Sequence, residues 1–154
     1  YGGMITGNHT TGEGGAFYLE ACNASHTTPA VLNLYGGEIY HCSAGSNGGG
    51  VYSATGNGNL YLGSKLIMED NTANRGGNVY HGSSTALTID SATITDGKAN
   101  IAGGIYSNTA KIILSGDPVI RDNENGSLYL MAHNTLDVDQ LGSDADVHIY
   151  TISA

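Results

Sequence analysis

The chain has no tryptophan, one phenylalanine, two prolines and two cysteines in 154 residues. Charge is scarce as well, at 12% of residues, well below the usual quarter of a soluble domain. The deficit falls mainly on the basic side. Five Lys and Arg stand against 14 Asp and Glu, a net charge of −9. Nucleic acid and anionic membrane surfaces, whose phosphates need clustered cations, are poor partners for such a chain. No apolar run approaches the roughly 20 residues of a membrane-spanning helix. No signal peptide is recognisable, and the chain opens on Tyr1-Gly2-Gly3. It therefore reads as a fragment or a processed product.

What is abundant is glycine, at 24 residues, together with Ser, Thr and Asn, while 40% of residues are apolar. That is enough for a core and points to a β-rich extracellular protein in one domain.

An internal repeat explains the glycines. Gly14-Gly15-Ala16-Phe17-Tyr18, Gly48-Gly49-Gly50-Val51-Tyr52 and Gly76-Gly77-Asn78-Val79-Tyr80 share one pattern. Ala102-Gly103-Gly104-Ile105-Tyr106 and Asn125-Gly126-Ser127-Leu128-Tyr129 are degenerate copies. The tyrosines lie 34, 28, 26 and 23 residues apart. Upstream of each copy is an apolar anchor: Ile5, Ile39, Met68, Ile94 and Ile120. Three residues after the anchors come Asn8, Cys42, Asn71, Gly97 and Asn123. Downstream of each tyrosine is an apolar-x-apolar triplet, at Leu32–Leu34, Leu60–Leu62, Leu87–Ile89, Ile112–Leu114 and Leu136–Val138.

Three short runs of period two in fixed order, separated by Gly/Asn/Asp/Ser clusters, are strands rather than helices. The pattern predicts an all-β, right-handed parallel β-helix of about five three-strand coils, roughly 24 Å tall at ~4.8 Å per rung. Residues 1–138 form the coils, and 139–154 form a C-terminal strand that is a cap or the start of a further coil. Glu20 to Ala30 reads as an inserted loop. A sandwich of hairpins is the alternative, but it leaves the common register of three phases unexplained.

The Gly-Gly-Ala-Phe run at Gly14 to Phe17, paired with apolar-x-x-Asn at Ile5 to Asn8, Met68 to Asn71 and Ile120 to Asn123, resembles the repeats of bacterial surface proteins. The polymorphic outer-membrane autotransporters, with Gly-Gly-Ala-Ile and Phe-x-x-Asn repeats, are the best-known group. Similar repeats occur in long surface proteins of gut Firmicutes. The likeness covers about residues 1–138. It implies a secreted or cell-surface location and a role as adhesin or shaft.

Chemistry-bearing residues are few. The carboxylate motifs of galacturonan hydrolases are absent, and Arg75 and Arg121 are the only arginines, so no catalysis and no cofactor are expected. Tyr18, Tyr52, Tyr80, Tyr106 and Tyr129 would form one outward column, either stacked on itself or open to sugar rings. Asn8, Asn71 and Asn123 would form an amide ladder, interrupted by Cys42 and Gly97. Cys22, in the inserted loop, would reach Cys42 as a disulfide in an oxidising compartment. No metal site is expected. Asp137, Asp139, Asp144 and Asp146 are weak calcium candidates within an acidic C-terminal third. His9, His81, His133 and His148 are expected on the surface.

A coil stack exposes strand edges at both ends. Tyr1-Gly2-Gly3-Met4-Ile5 repeats as Tyr35-Gly36-Gly37-Glu38-Ile39, so the chain starts in mid-coil. The expected partners are further coils of the same polypeptide or head-to-tail copies of the chain, with a host or environmental glycan as a further candidate. Head-to-tail stacking would make an open filament.

Overall fold

A computed structural model describes residues 2–20, 29–56, 58–108 and 111–151. Every strand pairing in it is parallel, and the described residues contain no helix. The chain winds as a parallel β-solenoid of about four turns. Most of the sequence-predicted strands pair with their counterparts one repeat away. Ile5, Ile39, Met68, Ile94, Ile120 and Val147 are register partners in succession, a single apolar file. Leu32, Leu60, Leu87, Ile112 and Leu136 form a second, and Leu34, Leu62, Ile89, Leu114 and Val138 a third. A fourth runs through Phe17, Val51, Val79, Ile105, Leu128 and Ile149. Between the outermost rungs these residues are fully buried and merge into one core.

The three sheets are not divided as the sequence implied. The anchor strand and the apolar-x-apolar strand belong to one bent sheet, A. Ala30–Tyr40 and Gly58–Glu69 run round its bend without a break. In later coils the strand is interrupted there, as between Leu87–Asp90 and Thr93–Thr95, where Ser91 takes φ 55°. The tyrosine strands form sheet C, with six members.

Sheet B, the third, was not read from the sequence. It stacks His9–Thr10, Ser43–Ala44, Thr72–Arg75 and Lys98–Ile101. Its residues are mostly small or polar, with Ile101 the one large aliphatic side chain, so the strands carry no apolar alternation of their own. They are strands because the sheets on either side fix their ends. With only four rungs in sheet B, the fifth coil does not close. Nine residues lead from Ile120 to Tyr129, and three from Val147 to Tyr150, against twelve or thirteen in the earlier coils. That arc is too short to hold a further strand of sheet B.

The corner between sheets A and B recurs in the left-handed region. Gly7, His41, Asp70, Asp96 and Asp122, each two residues past its anchor, have φ between 51° and 68°. Aspartate tolerates this conformation better than most residues, which accounts for the three consecutive aspartates. At the C-terminal end, Asp146–Val147 and Ile149–Thr151 join sheets A and C as a further partial rung. The segment from Asp146 therefore changes sheet at His148 rather than continuing as one strand.

Candidate functional site

The tyrosines of sheet C stand in register on one face. Tyr18, Tyr52, Tyr80, Tyr106, Tyr129 and Tyr150 stack with ring centroids 5.1–6.0 Å apart and planes within 30° of each other. Tyr150, beyond the last recognised repeat, extends the column by one ring. Stacking hides the inner faces: Tyr129 is 4% exposed, whereas Tyr18 and Tyr150 are 55% and 54% exposed. Ala54, Ile101 and Ala102 pack along the inner rings and make a second apolar cluster outside the bore. Arg75 caps the Tyr106 ring, its Cζ 5.9 Å from the centroid. Burial raises the hydroxyl pKa of Tyr52, with the neighbouring Glu13 adding to the effect. Burial likewise raises Tyr80 and Tyr129. Tyr52, Tyr80 and Tyr129 are therefore held in the neutral form.

The asparagine ladder exists, with a member the sequence pattern missed. Asn71 Oδ1 accepts the Cys42 N–H at 2.9 Å, and its Nδ2 donates to Ile39 O at 2.8 Å and to Asn78 Oδ1 at 2.7 Å. Asn78 Nδ2 donates to Thr95 O at 3.0 Å and to Asn123 Oδ1 at 3.1 Å. Asn123 Oδ1 also accepts the Gly97 N–H, and its Nδ2 donates to Ile94 O. Asn78 occupies the small-residue position of the Gly-Gly repeat, so its role was not visible as part of the ladder. It fills the rung that Gly97 leaves empty: a methyl group at Gly97 would lie 2.5 Å from Asn78 Nδ2. The reciprocal holds where the anchor side supplies the amide. A methyl group at Gly50 would lie 3.4 Å from Asn71 Nδ2 and 2.7 Å from Met68 Cε, and one at Gly104 3.0 Å from Asn123 Cγ. Glycine in one column thus marks an asparagine in the other, and Gly97 completes the ladder rather than breaking it.

Cys42 holds the next rung toward the N-terminus. It is buried, with its sulfur 3.9 Å from Asn8 Nδ2 and 3.8 Å from Ile5 O. Cys22, its expected disulfide partner, lies outside the described residues, as does most of the inserted loop.

A second polar patch lies inside the bore, behind the tyrosines. Strand alternation turns the residue after each tyrosine inward, which places Ser53, His81 and Ser107 in one file. All three are fully buried. The expectation of a surface His81 is therefore wrong, and the parity of its strand carried the signal. His81 Nε2 donates to Thr85 O at 3.0 Å, which leaves Nδ1 as a bare acceptor. Neither His81 Nδ1 nor Ser53 Oγ has a hydrogen-bond partner among the described residues. Burial lowers the His81 pKa, opposed only by the bond to Thr85.

The acidic residues are dispersed. Asp137 pairs with Lys111 at 2.6 Å, and Asp146 with Arg121 at 3.1 Å and His148 at 3.3 Å. Asp144 has no ion pair among the described residues; its Oδ1 accepts from Ser143 Oγ at 3.4 Å and its N–H donates to Asp117 Oδ1. Asp139 pairs through its backbone with Ser115 on the neighbouring strand. The four calcium candidates are thus not gathered, and among the described residues no three His, Cys, Asp or Glu side chains converge as a metal site. Asp70 is held below the usual carboxylate range by Lys98, 2.8 Å away, with His41 assisting. Both partners are exposed, so the pair adds little to stability.

No family model, curated protein or solved structure matches this chain. The parallel β-solenoid is what the geometry establishes, and the likeness to autotransporter repeats remains one of motif. No helix among the described residues is long and apolar enough to cross a membrane.

Proposed function

We propose that the chain is a structural segment of a secreted or cell-surface β-helix protein, a stiff shaft that performs no catalysis and contacts glycans through its tyrosine column. The observation that carries this reading is the continuity of the files. Apolar, tyrosine and asparagine columns run through successive coils, so the architecture extends by adding rungs rather than by enclosing a site. The outermost rungs leave Tyr18, Val138, Ile149 and Tyr150 exposed, where their register partners one rung inward are covered. Further coils of the same polypeptide are the natural cover. Glycan contact falls to the two open ends of the column, because the inner ring faces are occupied by each other.

Head-to-tail copies would cover the same edges and build a filament. The two end surfaces differ in outline, however: sheet C extends two rungs past sheet B at the C-terminal end, and both sheets begin with the same coil at the other.

Electron microscopy of the purified chain separates the readings. The shaft predicts short single particles whose length does not grow with concentration. Long filaments would transfer the function to self-assembly. Release of reducing or unsaturated sugar from polysaccharides would overturn the non-catalytic part.

A further inference from the structure

The early end of sheet B leaves a notch beside the tyrosine column. It has a volume of about 530 Å³ and is lined by Asn100, Ile101, Asn125, Gly126, Tyr129 and Tyr150. None of these side chains is charged. Tyr150 rests one face on Tyr129, at 6.0 Å, and presents the rest of its ring to solvent. The two asparagines are held by the protein through their amide nitrogens. Asn100 Nδ2 donates to Asn74 Oδ1 at 2.8 Å, and Asn125 Nδ2 to Ala99 O at 2.8 Å. Each therefore keeps its carbonyl oxygen as a fixed acceptor. Gly126 has φ 119°, and a methyl group there would lie 3.4 Å from Tyr150 Cβ. A side chain at this position would crowd Tyr150 and strain the backbone.

We infer that this notch is a subsite for one neutral hexose unit of a glycan. The sugar's C–H face lies on Tyr150 and its hydroxyls donate to Asn100 Oδ1 and Asn125 Oδ1. The chemistry is that of small-ligand sites generally, an apolar wall with a few placed polar groups. A neutral unit is preferred over a uronate because the net charge is −9 and Asp122 lines the cleft on the other side of Gly126 and Tyr150. An added peptide strand is the competing occupant, since Lys98–Ile101 ends its sheet. One carbonyl of that segment and the one just before it are already used: Ala99 O accepts Asn125 Nδ2, and Gly97 O accepts the Glu124 N–H at 2.9 Å. A strand would have to displace both bonds. The inference rests on the proposed glycan contact and narrows it to one end of the column.

The test is calorimetric titration of the whole chain with neutral gluco-, galacto- and manno-oligosaccharides and with an oligogalacturonate. Tyr150→Ala, Tyr150→Phe, Asn100→Ala and Tyr18→Ala are compared, each checked for an unchanged melting temperature. The expected result is binding of a neutral oligosaccharide that weakens about tenfold in Tyr150→Ala, the size expected for one lost stacking ring. Asn100→Ala also weakens it, while Tyr150→Phe and Tyr18→Ala bind as the parent does. Binding lost in Tyr18→Ala but kept in Tyr150→Ala overturns the notch and leaves glycan contact by the column standing. Binding of no sugar by the folded chain overturns both. Preference for the oligogalacturonate, or selection of extended peptides instead, overturns the neutral-sugar assignment.

Discussion

Two polar patches sit inside the same apolar bore and are built differently. Where the corner from sheet A to sheet B faces the entry to sheet C, Asn71 and Asn123 from the first and Asn78 from the second hand hydrogen bonds from coil to coil, and each also closes on a backbone carbonyl. Behind sheet C, Ser53 Oγ and His81 Nδ1 lie buried without partners among the described residues. Buried polar groups stabilise only when satisfied, and an orphaned one costs about 1–3 kcal/mol. The first patch therefore fixes register between coils, while the second weakens the stack locally. Amides suit the first role because one side chain donates and accepts at once.

The comparison is most sharply tested at Asn71. Asn71→Ala strands the Cys42 N–H, Ile39 O and Asn78 Oδ1 together, and should cost about 3–4 kcal/mol in urea denaturation. A cost below about 1 kcal/mol would mean that the ladder is ornamental. Gly97→Ala comes next, at about 2–3 kcal/mol, because its methyl group meets Gly103 O and Asn78 Nδ2. The two losses should not add, since both act on Asn78.

His81 supplies a pH-dependent difference between the patches. Its folded pKa lies below the ordinary 6.5, so the unfolded chain binds the proton more readily. The stability it contributes is full above pH 6.5 and falls as the pH drops from there toward the folded value. Melting temperature measured across that range should decline, and His81→Asn should flatten the decline. An unchanged slope in the variant would show that other groups set the acid sensitivity. The amide patch has nothing to titrate.

The smallest effect is expected at Ser53. Removing a hydroxyl that bonds to nothing leaves no partner stranded, so Ser53→Ala should change stability by less than about 0.5 kcal/mol or raise it. A loss comparable to that of Asn71→Ala would place an ordered water between Ser53 and His81.

Much of this was legible in the residues. The apolar files of sheets A and C follow from alternation, and the tyrosine column follows from the Gly-Gly repeat. Sheet B was not legible, because strands such as Thr72–Arg75 and Lys98–Ile101 hold their shape through their neighbours rather than through their own hydrophobicity. Asn78 was hidden in a position filled by Ala16 and Gly50 in earlier coils. Its link to Gly97 is a matter of shared volume between two columns, which a pattern read along one column does not expose. His81 was recoverable: an outward Tyr80 turns its successor inward. The anchor-to-tyrosine spacing, which drops to nine residues between Ile120 and Tyr129, held the loss of sheet B in the last coils, but the pairing was needed to show that this arc carries a strand at all.

The most direct test of the coil stack is the pattern of nuclear Overhauser effects in an isotope-labelled sample. Parallel stacking predicts aromatic contacts joining Tyr80 to both Tyr52 and Tyr106, and contacts joining Met68 to both Ile39 and Ile94. Short cross-strand contacts between α-protons, the signature of antiparallel hairpins, with Tyr80 touching neither tyrosine, would contradict it.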